Sequence, residues 1–237
     1  TDGGPRTLTF AQADRAIAAF AATVRGLGLH TDAVIGLQLP NTVESVIAFL
    51  GVLRAGLIAA PLPLLWRRQD MVEALGRAGA KAIVTAGRIG ACAHAELAME
   101  VAAELFPIRQ IAAFGRNLPD GVIPLDGIFA GATDEPPPQR TSNAAAHVAA
   151  WTFASGADGT IPLAHDHAAL VAAGQAVVRA AAAGADAPLL STISLGSLAG
   201  LSVTLTPWLI GGGALHLHHG FDAETFASQA AALDGGM

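Results

Sequence analysis

Apolar residues recur along this chain in two alternating rhythms. Over residues 9–27, Phe10, Ala13, Ile17, Phe20, Ala21, Val24 and Leu27 return at three- and four-residue intervals, the spacing that lines one face of an α-helix. Thr9 is placed to cap that helix, with Asp14 close to its first turn. Gly26 and Gly28 stop it, and the unbroken run Ala33-Val34-Ile35-Gly36-Leu37-Gln38-Leu39 reads as a buried strand. Pro40-Asn41-Thr42 then turns the chain and supplies an N-cap. Val43, Val46, Ile47, Leu50 and Leu53 stripe the helix that follows, whose third position holds Ser45 rather than the Glu of a capping box.

The alternation repeats. Residues 57–63 read as a short strand broken by proline, 69–78 as a helix and 80–85 as a strand. Three helix-then-strand units in succession predict an α/β fold with layered, largely parallel sheets and flanking helices. A helix over 93–105 and strands over 109–114 and 122–125 continue it. Residues 131–143 carry Pro136-Pro137-Pro138 among polar neighbours and read as an exposed connection. The expected organisation is therefore a first α/β subdomain over 1–130, a Pro-rich connection over 131–146 and a second α/β unit over 147–237. In that second unit the pattern predicts a strand over 148–153, a small-residue loop, a helix over 167–183, a strand over 189–194, a helix over 199–209, a strand over 214–218 and a helix over 222–233. No fixed-period repeat occurs.

Composition narrows the class. With 237 residues, 52% of them hydrophobic, the chain is long enough to bury a core as one large or two small domains. Only 14% are charged, yet no apolar run approaches the roughly 20 residues of a membrane span, and much of the hydrophobicity is alanine. Thr1-Asp2-Gly3-Gly4-Pro5 carries no secretory pattern, so a cytoplasmic location is expected. A net charge of −6 argues against a nucleic-acid partner, and the absence of tyrosine against an aromatic stacking platform. One cysteine, Cys92, allows neither an internal disulfide nor a cysteine-based metal site.

The chemistry concentrates at Ala154-Ser155-Gly156-Ala157-Asp158-Gly159, after the apolar run 147–153 and before the alanine-rich helix. Small residues between a strand and a helix let backbone N–H groups close on an anion, because glycine lacks Cβ and tolerates positive φ. Ser155, His165 and Asp166 suggest a hydrolase triad, but adjacent residues point apart and no G-x-S-x-G elbow is present. Asp166 reads instead as the N-cap of the next helix. His216 and His218 share one strand face without an obvious third ligand, and no metal site is assigned. Gly211-Gly212-Gly213 reads as a helix stop, and Arg67 and Arg68 as a solvated loop edge.

Leu8-Thr9-Phe10, Leu39-Pro40-Asn41, the segment 48–56 ending Arg54-Ala55-Gly56, and Ala78-Gly79-Ala80-Lys81-Ala82-Ile83-Val84 occur in an order and spacing that resembles the N-terminal part of the adenylate-forming superfamily. Within it the chain looks most similar to AMP-forming acyl-CoA and fatty-acid-CoA ligases. The resemblance implies activation of a carboxylate by Mg-ATP to an acyl-adenylate, then transfer to the thiol of CoA. It places Ser155, Gly156 and Gly159 in the phosphate loop, with Thr152, Asp158 and Thr160 beside them. Catalytic residues are not assigned.

Departures from the family pattern are specific. Its loop reads T-S-G-T-T-G followed by x-P-K-G. Here Ala154, Ala157 and Asp158 replace the threonines, and Thr160-Ile161-Pro162-Leu163 supplies no cation. Gly196 and Ser197 stand where the family's aromatic-histidine pair falls. The adenine segment, ribose aspartate, hinge and C-terminal domain of full enzymes would follow Met237, so on the family pattern the chain covers under half of one. Two expectations follow. The chain is part of an AMP-forming acyl-CoA synthetase that does not turn over alone, or it is a non-catalytic structural or partner-binding domain with the same fold. Apolar surface left by such a division would favour a homodimer.

Overall fold

The computed structural model describes residues 6–131, 136, 143–157 and 159–233. Helix α1 (Phe10–Arg25) begins at Thr9, whose side chain accepts from the Gln12 N–H while the Gln12 side chain accepts from the Thr9 N–H. The capping box is thus closed by Gln12. Asp14, expected to act on the first turn, instead accepts from Arg54 Nη1 at 2.6 Å, clamping α1 to α2 (Val43–Arg54). Between these helices Gly51 lies against the Phe20 ring so closely that a Cβ would overlap it.

Strands β1 (Val34–Gln38), β2 (Ile58–Pro61) and β3 (Ala82–Ala86) are buried along their whole length. That is why their sequences are apolar runs rather than alternating patterns, since parallel strands are covered on both faces. Helices α3 (Arg68–Ala78) and α4 (His94–Glu104) follow β2 and β3, and β4 (Gln110–Phe114) and β5 (Ile123–Pro124) extend the sheet.

The chain then returns to this same sheet. Strand β6 (Val148–Gly156) pairs parallel to β2 through Ala59 and Ala150, and β7 (Gly159–Asp166) pairs antiparallel to β6. The order β5-β4-β3-β1-β2-β6-β7 makes seven strands, parallel except for the last pair. One sheet therefore draws on residues from both sides of the Pro-rich connection.

Helix α5 (His167–Ala181) starts at Asp166, whose carboxylate accepts from the Ala169 N–H. A small parallel pair, β8 (Leu189–Ser191) and β9 (Leu215–Leu217), follows. The helix expected over 199–209 is split: Gly200–Leu205 is a π-helical turn, and α6 covers Thr206–Gly211. Thr206 explains the junction, because its hydroxyl donates to the Leu201 carbonyl at 2.7 Å while Pro207 brings no N–H. Gly212, with φ 82°, ends α6 as expected of that glycine run. Helix α7 (Ala223–Ala231) closes the described chain, and none of its residues is buried.

Asn41 ties the small pair to the large sheet. It is buried in the turn after β1, and its Nδ2 donates to the Ser191 carbonyl at 2.9 Å and the His218 carbonyl at 3.2 Å.

Candidate functional site

The phosphate-loop candidates occupy the tip of the β6–β7 hairpin, which corrects the expected strand, open loop and helix. Ala154, Ser155 and Gly156 extend β6, and Gly159 and Thr160 begin β7, with Ser155 opposite Thr160 and Gly156 opposite Gly159. Ala157 lies in the turn, and Asp158 lies outside the described residues. Gly159 adopts φ 98°, a backbone that a side chain would strain, and this lets the chain reverse within two residues.

Helix α3 closes over the tip. Glu73 Oε1 accepts from the Thr160 N–H at 2.9 Å, and its Oε2 receives the Thr160 hydroxyl at 3.4 Å. A Cβ at Gly159 would run into this carboxylate, so glycine is required by the close approach as well as by φ. Arg77, one turn along α3, stands 3.1 Å from Glu73 Oε1. The hairpin tip therefore meets a cation after all, from a helix rather than from the segment 160–163. Neither Glu73 nor Arg77 figures in the sequence reading. Their only signal there is the i,i+4 Glu–Arg spacing common to solvated helix faces.

Thr152, further down β6, is buried, and its hydroxyl shares a 2.7 Å hydrogen bond with His165 Nε2. Burial holds the His165 imidazole below its ordinary pKa, with Asp166 pulling the other way. The partner of His165 is thus Thr152 and not Ser155, which is exposed at the tip, so no serine triad forms.

A cavity of about 270 Å³ opens beside Thr152, walled by Pro63, Phe153 and Leu163 on one side and by 196–198 on the other. Gly196 is dictated by its setting, since a Cβ would lie 2.6 Å from the Leu62 carbonyl oxygen. An aromatic side chain at that position has no room. The Ser197 hydroxyl donates to the Ser194 carbonyl at 3.0 Å and accepts from the Gly200 N–H at 3.1 Å, holding the turn into the π-helical segment.

The other sequence candidates have structural duties. His218 is buried, with Nδ1 donating to Gln229 Oε1 at 2.7 Å and Nε2 accepting from the Asp222 N–H at 3.1 Å. Both ring nitrogens are engaged, which leaves none for a metal ion. Arg67 Nη1 donates to the carbonyls of Leu64 and Trp66, and Arg68 pairs with Glu104. Among the described residues no three His, Cys, Asp or Glu side chains converge on a metal-sized space, and no helix is long and apolar enough to cross a membrane.

Residues 1–233 match the family described as AMP-binding enzyme. A 63-residue stretch is 49% identical to the 4-hydroxyphenylalkanoate adenylyltransferase of Mycobacterium marinum, covering 27% of this chain and 10% of that protein. Over 116 residues it is 36% identical to long-chain fatty acid transport protein 1 of Bos taurus, covering 49% of this chain and 17% of the relative. Among solved structures, an acyl-CoA synthetase from Brucella canis superposes with a TM-score of 0.79 at 24% identity, over 95% of this chain and 40% of that one. The α/β fold is thereby that of the N-terminal part of adenylate-forming enzymes, and the match spans less than half the length of each of these three proteins.

Proposed function

Since this chain belongs to the AMP-binding enzyme family, we propose that it is the phosphate-binding portion of an ATP-dependent, AMP-forming acyl-CoA synthetase. In that reaction a carboxylate oxygen attacks the α-phosphorus of ATP and pyrophosphate leaves. The acyl group then passes from the adenylate to the thiol of CoA. The observation that carries the reading is the hairpin tip, where Gly159 at φ 98° and the Thr160 N–H and hydroxyl converge beside a guanidinium. Backbone N–H groups, an alcohol and a cation are the donor set that a polyphosphate takes.

Each candidate then has a part. Ser155 and Thr160 present alcohols on opposite strands of the tip. Gly156 and Gly159 let Ile161 and the Glu73 carboxylate close directly on the backbone of the tip, and Asp158 adds a carboxylate by sequence. Thr152 holds His165 and one wall of the cavity, below the tip. Magnesium would arrive on the phosphates and neutralise their charge. With no lysine in 160–163, the chain binds nucleotide weakly and does not turn over alone.

Calorimetry with Mg-ATP and with AMP tests the binding, and ATP–pyrophosphate exchange with a panel of carboxylic acids tests the chemistry. Measurable ATP binding without exchange is expected. Robust exchange would overturn the claim of inactivity. Silence at millimolar nucleotide would favour the second reading, a scaffold or partner-binding domain, which draws support from the carboxylate already seated on the Thr160 N–H.

A further inference from the structure

Helix α7 is nine residues long, too short to keep its own hydrogen bonds in water without a seat. None of those residues is buried, and within the helix only Phe226 and Gln229 are even partly shielded from solvent. Both touch the same side chain, that of His218, which is buried just beyond β9. Its Nδ1 donates to Gln229 Oε1 at 2.7 Å near one end of the helix, and its Nε2 accepts from the Asp222 N–H at 3.1 Å at the other. Phe221 and Phe226 meet the imidazole edge-on, with ring centres 5.7 and 5.9 Å away. The His218 main-chain carbonyl is itself held by Asn41, so the ring stands on the fixed side of the contact.

This arrangement admits one protonation state. A backbone N–H can only donate, so Nε2 has to present a lone pair and the ring has to be neutral. An imidazolium carries a proton on each nitrogen and sets its Nε2–H against the N–H of Asp222, the residue that caps α7. We propose that His218 is a proton-operated latch: the neutral imidazole seats α7, and protonation releases the helix, which then melts while both sheets stay folded.

The charges around the ring favour release. The Asp222 carboxylate attracts the proton, but it is fully exposed to solvent, which screens it, and its Oδ1 is already taken by the Thr225 N–H at 2.7 Å. His219, next along the chain, adds a like charge whenever it is protonated, as does His216 two residues back on the same strand face. Glu224, in the first turn of α7, is exposed. Strand β8 and the turn holding Asn41 contain no charged residue.

The test is hydrogen exchange of backbone amides on the whole chain from pH 7.5 to 5, corrected for intrinsic pH dependence, with α5 as reference and the His218 ring followed by NMR. As the ring takes up its proton, protection in α7 is expected to fall about tenfold or more while α5 holds. His218→Gln keeps a carbonyl for the Asp222 N–H and takes up no proton, so its α7 protection is expected to be independent of pH. Should that variant fail to fold, Gln229→Leu serves: its α7 is less protected than the parent's at pH 7.5, and the fall on acidification remains. A protonated ring with α7 still protected overturns the latch, as does a ring that stays neutral down to pH 5. An equal fall in His218→Gln, or a Gln229→Leu variant that matches the parent at pH 7.5, overturns it as well. Loss of α5 and α7 in step shows global unfolding and sinks the proposal too.

Discussion

Thr152 Oγ1 and His165 Nε2 lie 2.7 Å apart across the β6–β7 ladder, on residues that are diagonal neighbours in its register. Valine at 152 keeps the shape of threonine and removes the hydroxyl, stranding a half-buried imidazole nitrogen. Thr152→Val is expected to lower unfolding free energy by about 1 kcal/mol, and Thr152→Ser by less. Ser155→Ala, which touches no such pair, is expected to stay near the parent. Urea denaturation compares all three, and equal stability of the valine and serine variants would contradict the assignment.

Asn41 holds two carbonyls with one amide group, that of Ser191 in β8 and that of His218 just after β9. Asn41→Ala leaves the Ser191 and His218 carbonyls without that donor and is expected to cost about 1–3 kcal/mol. Asn41→Asp is expected to be worse, because it sets a buried carboxylate against two carbonyl oxygens. Thermal unfolding of the two variants gives the order directly. A milder aspartate variant would show that the amide is not the donor in solution.

Alanine ordinarily stabilises an exposed helix interior by about 0.5–1 kcal/mol over glycine. Gly51 reverses that sign, since its Cβ would press into the fully buried Phe20 ring between α1 and α2. Gly51→Ala is expected to destabilise by about 1–3 kcal/mol. Pairing it with Phe20→Leu should recover part of the loss. If Gly51→Ala melts at or above the parent temperature, the close α1–α2 contact is not present.

His94 gives the fold a pH dependence. Burial holds its imidazole below the ordinary value of 6.5, aided by the Arg67 charge and opposed by the hydrogen bond of its Nδ1 with the Cys92 carbonyl and by the nearby Leu64 carbonyl. The unfolded chain takes up the proton first as pH falls, so His94 costs no stability above about pH 6.5 and progressively more below it, down to its folded pKa. His165 and His219 are shifted the same way by burial. Urea midpoints between pH 7.5 and 5 should fall for the parent and fall less steeply for His94→Gln. Parallel curves would remove His94 from the account.

Much of the sheet was readable because its strands are short apolar runs bounded by glycine and proline, and its helices carry clean three-and-four stripes. Strand β7 escaped notice for a physical reason. It carries Pro162, which argues against a central strand, yet β7 is the sheet's edge, where a missing N–H costs no ladder bond. The π-helical turn at Gly200–Leu205 was hidden because its departure from α-helix lies in backbone bonding around Thr206, not in the apolar pattern. At the site, Ser155, Gly156, Gly159 and Thr160 were legible as a cluster, being contiguous. Glu73 and Arg77 were not, since Glu73 reaches Thr160 across 87 residues of chain and nothing local marks it.

The parallel contact between β2 and β6 also governs how this chain can be handled. Until residue 148 emerges and folds back, β2 offers its four wholly buried residues, Ile58–Pro61, with one flank of backbone donors and acceptors bare. A protease nick in the proline-rich stretch that released the later piece would turn that flank into a template for other strands, and the early piece would be prone to aggregate.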